Sequence, residues 1–143
     1  MVINMLYKSF CESDTRAVAE LIAKQSKPKD IFCLNGDLGA GKTFFVQSFA
    51  RVLGITENIS SPTFTIINEY HGKEINLYHF DVYRISSLEE LEYTNYQDYF
   101  YGDSICLIEW ADIIKDIIPK SATQIYFYKN LDISPDYRLI KLI

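Results

Sequence analysis

The chain has 143 residues, enough for one domain with a sizeable core over residues 1–143. Hydrophobic residues make up 48%, charged residues 23%, and the formal net charge is −5, a balance that excludes a free-standing DNA or RNA binder with a basic face. With no apolar run of about 18 residues, no secretory layout in MVINMLYKSFCESD and no C-x-x-C or Cys/His cluster around Cys11, Cys33 and Cys106, the expectation is a cytoplasmic protein with reduced, buried thiols and no membrane span.

In chain order, MLYKSF reads as a short strand. Ala17, Val18, Leu21 and Ile22 fall on one helical face, which predicts an amphipathic helix from Ser13 to about Gln25. Pro28 and Lys29 mark the loop after it, and IFCLNG is an apolar run that feeds a glycine-rich loop. Residues 42–53 are apolar at helical spacing, and Gly54 is placed to stop that helix. TFTIINEY and EINLYHFDVY read as a hairpin joined at His71–Gly72–Lys73. In SSLEELE, Ser86 and Ser87 each precede a glutamate by three positions, a helix-start signal. SICLIEW reads as a buried strand, WADIIKDIIP as a short helix ended at Pro119, and TQIYFYKN and YRLIKLI as two closing strands. The fold class that follows is α/β, a P-loop-type three-layer sandwich with a mixed, partly antiparallel sheet.

The glycine-rich loop is GDLGAGKT at 36–43, the pattern G-x-x-x-x-G-K-[ST]. Its context, between a predicted strand and a predicted helix, is the one the chemistry needs. Gly36, Gly39 and Gly41 free the backbone to wrap closely, so that N–H groups can converge on phosphate. The helix N-terminus adds partial positive charge, Lys42 can reach the β- and γ-phosphates, and the Thr43 hydroxyl suits Mg²⁺. Such a loop also needs an acid for its metal. Asp81 ends LYHFD and Glu109 ends ICLIE, each an apolar strand delivering a carboxylate.

The guanine motif N-K-x-D is missing, KNLD at 129–132 being its nearest approach, and no aspartate precedes a glycine by three positions. ATP is therefore favoured over GTP. A small-molecule kinase would want an arginine-rich lid, whereas Arg16, Arg51, Arg84 and Arg138 are scattered.

The ordered set GDLGAGKTFF, SPTFTIINEY, HFDVYRI, LEELEY, DYF and ICLIEWAD resembles the TsaE (YjeE) family over about residues 30–112. The resemblance implies a small bacterial ATPase of threonylcarbamoyladenosine formation on tRNA. It also implies docking on a TsaD–TsaB heterodimer, with tRNA met only through that complex, slow turnover alone, and a role in resetting the complex. Carried over by residue, Leu38, Gly39, Ala40, Gly41, Lys42 and Thr43 match the ATP loop. Ser61, Pro62, Thr63 and Phe64 match a switch-like segment, with Thr63 placed to sense the γ-phosphate. Asp81 matches an acid near the nucleotide and Glu109 a Mg²⁺ ligand. Glu12 matches loosely to the adenine side, and the short C-terminal tail leaves open which residues close over the base, Arg138 included.

Several neighbours carry two readings. Trp110 stacks near the nucleotide or caps the core. His79 reads as a structural histidine ahead of a catalytic base. Arg84 pairs with Asp81 or a helix glutamate, or reaches phosphate or a partner. Tyr93, Tyr96, Tyr99, Phe100 and Tyr101 read as core ahead of a docking surface. The expected activity is water attack on the γ-phosphate of ATP, with Lys42 and Mg²⁺ stabilising charge and with Asp81 or Glu109 positioning the water. The alternative is a nucleotide-gated binding module that needs no hydrolysis.

Overall fold

In a computed structural model that describes residues 4–37, 39–62 and 65–143, the described chain forms one seven-stranded sheet. Leu38, Thr63 and Phe64 lie outside the described residues. The strands are β1 (Met5–Ser9), β2 (Ile31–Asn35), β3 (Ile67–His71), β4 (Asn76–Asp81), β5 (Ile105–Glu109), β6 (Thr123–Lys129) and β7 (Arg138–Leu142). They lie in the order β1-β7-β6-β2-β5-β4-β3. The four central strands β6, β2, β5 and β4 are parallel. Antiparallel partners close both edges, β3 beside β4 and the pair β7–β1 beside β6. This is the mixed α/β sheet that the sequence predicts.

Strand parity explains both cores. Alternate residues point to opposite faces. Phe32, Leu34, Ile105, Leu107, Leu77 and Ile125 meet Val18, Ile22, Phe45 and Phe49 of helices α1 (Glu12–Gln25) and α2 (Lys42–Val52). Ile31, Cys33, Cys106, Ile108 and Phe80 meet the opposite layer, which includes Leu91, Phe100 and Ile114. Those three come from α3 (Leu88–Glu92), α4 (Tyr96–Phe100) and a 3₁₀ segment, Ala111–Ile117. Buried on both sides, β2 and β5 read as unbroken apolar runs, as central parallel strands do. Among the described residues no helix is long and apolar enough to cross a membrane.

Local departures have physical causes. β3 begins at Ile67 rather than at position 63, because Ile66 takes a left-handed φ of 67° and its N–H closes a turn onto the Pro62 carbonyl at 2.9 Å. α3 starts at Leu88, but the glutamate signal acts four residues back: Ser86 Oγ donates to Glu90 Oε1 at 2.5 Å, and Ser87 makes no side-chain cap. α4 went unpredicted, since YQDYF has no clear helical period. The aromatic cluster divides. Tyr96 and Phe100 are buried and Tyr99 packs against Tyr78, while Tyr93 and Tyr101 are exposed at 81% and 61%. Burial pushes the thiols of Cys33 and Cys106 up to about 11 and about 12, whereas Cys11 is exposed.

Candidate nucleotide-binding site

The same parity that builds the core builds the site. Leu77, His79 and Asp81 share one face of β4, and Ile105, Leu107 and Glu109 share that face of β5. The parallel register sets Asp81 opposite Glu109 at the C-terminal ends of both strands. α2 packs over this face, and β2 ends beside β5, so the loop from β2 to α2 arrives next to both acids. Ligand sites of open α/β sheets lie at this end.

The loop has the backbone its glycines allow. Gly39 has φ 78° and Gly41 φ 101°, both left-handed, where a side chain would be strained. Gly41 is the N-cap of α2 and has no side chain to cap it, so the first N–H groups of the helix receive no acceptor from the N-cap residue. Lys42 is only 5% exposed. Its ammonium donates to the Gly36 carbonyl at 2.7 Å and lies 3.9 Å from the Trp110 ring centroid. Burial lowers the Lys42 pKa below the usual lysine value, and the carboxylates of Glu109, Asp81, Asp37 and Asp112 offset part of that. An ammonium that is buried but imperfectly compensated is suited to an arriving anion.

Two cavities share Lys42 and Trp110 as a wall. The larger, about 790 Å³, holds neither of the acids at 81 and 109. The smaller, about 590 Å³, is lined by Gly39, Gly41, Lys42, Thr43, Asp81 and Glu109, with Ser61, Tyr83, Arg84 and Trp110 at its sides. The smaller one is the candidate site, because Thr43, Asp81 and Glu109 line it together with Lys42. Among the described residues no three His, Cys, Asp or Glu side chains gather to hold a metal alone. Thr43 and Glu109 offer two oxygens, a set that fits Mg²⁺ sharing its coordination with phosphate and water.

The two acids are held differently. Asp81 accepts from the Tyr83 N–H at 3.0 Å on Oδ1 and from the Ser61 hydroxyl at 3.2 Å on Oδ2. Glu109 Oε2 lies 2.6 Å from Nε2 of His79, which is completely buried. His79 is thus a partner of the site and not a base exposed to it. Trp110 stands beside the loop: its backbone is left-handed at φ 62°, its ring packs on Tyr83 at 4.8 Å between centroids, and the same ring faces Lys42. Arg84 is exposed and lines the cavity.

The segment before β3 is tied to this centre. Besides the Ser61 bond, the Asp81 N–H donates to the Ile66 carbonyl at 2.8 Å, and Gln47 of α2 donates to the Ile59 carbonyl at 3.1 Å. Pro62 is buried. Glu12 opens α1, is exposed, and is not among the residues lining either cavity beside Lys42.

One contributor was only half visible in the sequence. Arg138, the first residue of β7, donates from Nε to the Ala40 carbonyl at 3.0 Å and from Nη2 to the Gly39 carbonyl at 3.4 Å. It also donates to the carbonyls of Pro135 at 2.9 Å and Tyr137 at 2.7 Å. A rigid guanidinium fork therefore braces the middle of the loop from the far end of the chain. Arg138→Leu is expected to weaken nucleotide binding on the order of tenfold, because a hydrogen bond from a charged group contributes about 1.5–3 kcal/mol. Calorimetric titration checks this, and equal affinity would show that the loop keeps its shape without the arginine.

Comparison with known proteins bears on the family and the fold. The family model described as "Threonylcarbamoyl adenosine biosynthesis protein TsaE" matches residues 10–136. A Bacillus subtilis protein named "tRNA threonylcarbamoyladenosine biosynthesis protein TsaE" is 48% identical over 122 residues, covering 85% of this chain and 76% of its own. A Haemophilus influenzae protein of the same name is 42% identical over 126 residues, covering 87% and 77%. The crystal structure of Bacillus subtilis YdiB matches with a TM-score of 0.81 at 39% identity, over 99% of this chain and 86% of that one. A family match spanning most of the chain, joined to relatives at 42% and more and to a shared fold, places this chain in the TsaE family.

Proposed function

We propose that this chain is a single-domain, Mg²⁺-dependent ATPase of the cytoplasm that serves tRNA threonylcarbamoyladenosine biosynthesis, the process named in its relatives' titles. Its role is to support a TsaD–TsaB heterodimer that modifies the adenosine next to the anticodon of tRNAs reading codons that begin with A, and to reset that complex between turnovers. The observation that carries the reading is the convergence of Lys42, Thr43, Asp81 and Glu109 on one cavity beside the uncapped start of α2. With a net charge of −5, the chain leaves RNA binding to its partners.

The residues divide the work. Backbone N–H groups of the loop and of the first turn of α2 bind phosphate oxygens. Lys42 exchanges the Gly36 carbonyl for the phosphates and stabilises the charge that builds on the γ-phosphoryl group. Thr43 and Glu109 would hold Mg²⁺, which when bound would supply positive charge to offset that of the phosphates. Asp81, its carboxylate fixed by Tyr83 and Ser61, orients the attacking water. Thr63, within the switch-like segment, senses the γ-phosphate. A second reading, a nucleotide-gated module that needs no hydrolysis, draws on the ties from the 59–66 segment to Asp81 and α2. Such ties let one site bias another element.

Phosphate release from ATP, measured with the protein alone and with TsaD–TsaB, separates the two. A slow rate that rises with the partners supports the ATPase. Nucleotide-dependent partner binding at an unchanged background rate supports the module. Neither ATP binding nor partner binding would sink both.

A further inference from the structure

We propose that His79 is a positioning residue for Glu109, fixing its carboxylate for the metal rather than serving only as core. The inference rests on the Mg²⁺–nucleotide reading above and extends it to a residue outside the cavity lining. On the face that ends in Asp81 and Glu109, the residues beside and before His79, namely Leu77, Ile105 and Leu107, are apolar and fully buried. A polar ring in such surroundings costs free energy unless its hydrogen bonds are made. Only one is: Nε2 meets Glu109 Oε2 at 2.6 Å, while Nδ1 is buried with no partner among the described residues. Among the described residues the ring thus serves Glu109 alone.

The geometry also selects a tautomer. A bare lone pair is the cheaper orphan, and an orphaned N–H is the rarer state in folded proteins. Nδ1 is therefore the bare nitrogen, and Nε2 carries the proton and donates it to the carboxylate. That bond fixes the rotation of the Glu109 carboxylate. The pairing crosses the sheet diagonally: His79 faces Leu107 in register, and Glu109 lies two residues further along β5, within reach of a long side chain.

The experiment follows binding of a fluorescent, non-hydrolysable ATP analogue as Mg²⁺ is titrated. His79→Leu fills the space without a donor, and His79→Gln keeps an amide N–H. His79→Leu is expected to raise the Mg²⁺ half-point about tenfold or more, the usual cost of losing a group that orients a metal ligand. Affinity for the analogue without Mg²⁺ should stay the same, and His79→Gln should recover most of the shift. An unmoved half-point in His79→Leu, or equal shifts in both variants, overturns the proposal while leaving the nucleotide site standing. A wild type whose binding ignores Mg²⁺ would instead remove the reading beneath it, and the proposal with it. Nitrogen-15 NMR of the wild type and of Glu109→Gln tests the same point with the ring intact. The expected result is a proton on Nε2 whose resonance moves when Glu109 becomes an amide. A ring protonated on Nδ1 alone, or a resonance indifferent to Glu109, overturns it.

Discussion

Lys42→Met is expected to lower ATP hydrolysis by about 10²–10³-fold, the usual cost of removing one donor aimed at developing charge. Lys42 lines the smaller cavity with its ammonium bonded to the loop carbonyl of Gly36, and methionine keeps its unbranched stem. The fold should not suffer. Burial holds the Lys42 pKa below its unfolded value, so between the two values the unfolded chain binds more protons. Below that window the ammonium is a net cost to folding, and the cost fades as pH rises through the folded-state value. The nucleotide-free variant should therefore melt at or above the wild-type temperature near neutral pH. It should also gain less from added nucleotide, since less binding energy reaches its folded state. A variant that hydrolyses ATP normally would sink the ATPase reading. One that is inactive and also unfolded would show that Lys42 is structural.

The sequence made legible what local chemistry determines. The loop, its helix and the two strand-end acids could be read because each rests on adjacent residues, whereas the shared face of the two acids emerges only from the strand register. The order of the central strands was not readable. It depends on β6 and β7 returning to the far side of β2, a pairing that no local pattern encodes. Arg138 shows the same limit: its hydrogen bond to Ala40 spans 98 positions in the chain. His79 was hidden otherwise. One histidine in an apolar row gives no hint of which face-mate it meets, and its partner lies on another strand. Positive φ at Ile66 and Trp110 was hidden because both residues disfavour it, and only tertiary contacts impose it.

Glu109→Ala is expected to act twice, and the two effects separate the acids. First, the Mg²⁺ requirement for hydrolysis should rise by roughly a hundredfold or more, since losing even a group that supports a metal ligand costs about 10- to 100-fold. Second, the variant should lose about 1–3 kcal/mol of stability, the cost of leaving a buried donor unpaired. The orphan is Nε2 of His79, on a fully buried ring whose Nδ1 has no partner among the described residues. Glu109→Gln keeps an acceptor oxygen for that N–H, so it should regain most of the stability but not the Mg²⁺ affinity. Asp81→Asn provides the contrast. Its partners, the Tyr83 N–H and the Ser61 hydroxyl, are anchored on exposed residues and can turn to water. It should lower the rate at saturating Mg²⁺ with a smaller change in stability. Thermal melts and Mg²⁺ titrations of all three variants check the scheme. If Glu109→Ala leaves the Mg²⁺ titration unchanged and Asp81→Asn shifts it, the metal belongs to Asp81, and the His79–Glu109 pair is a structural lock between β4 and β5.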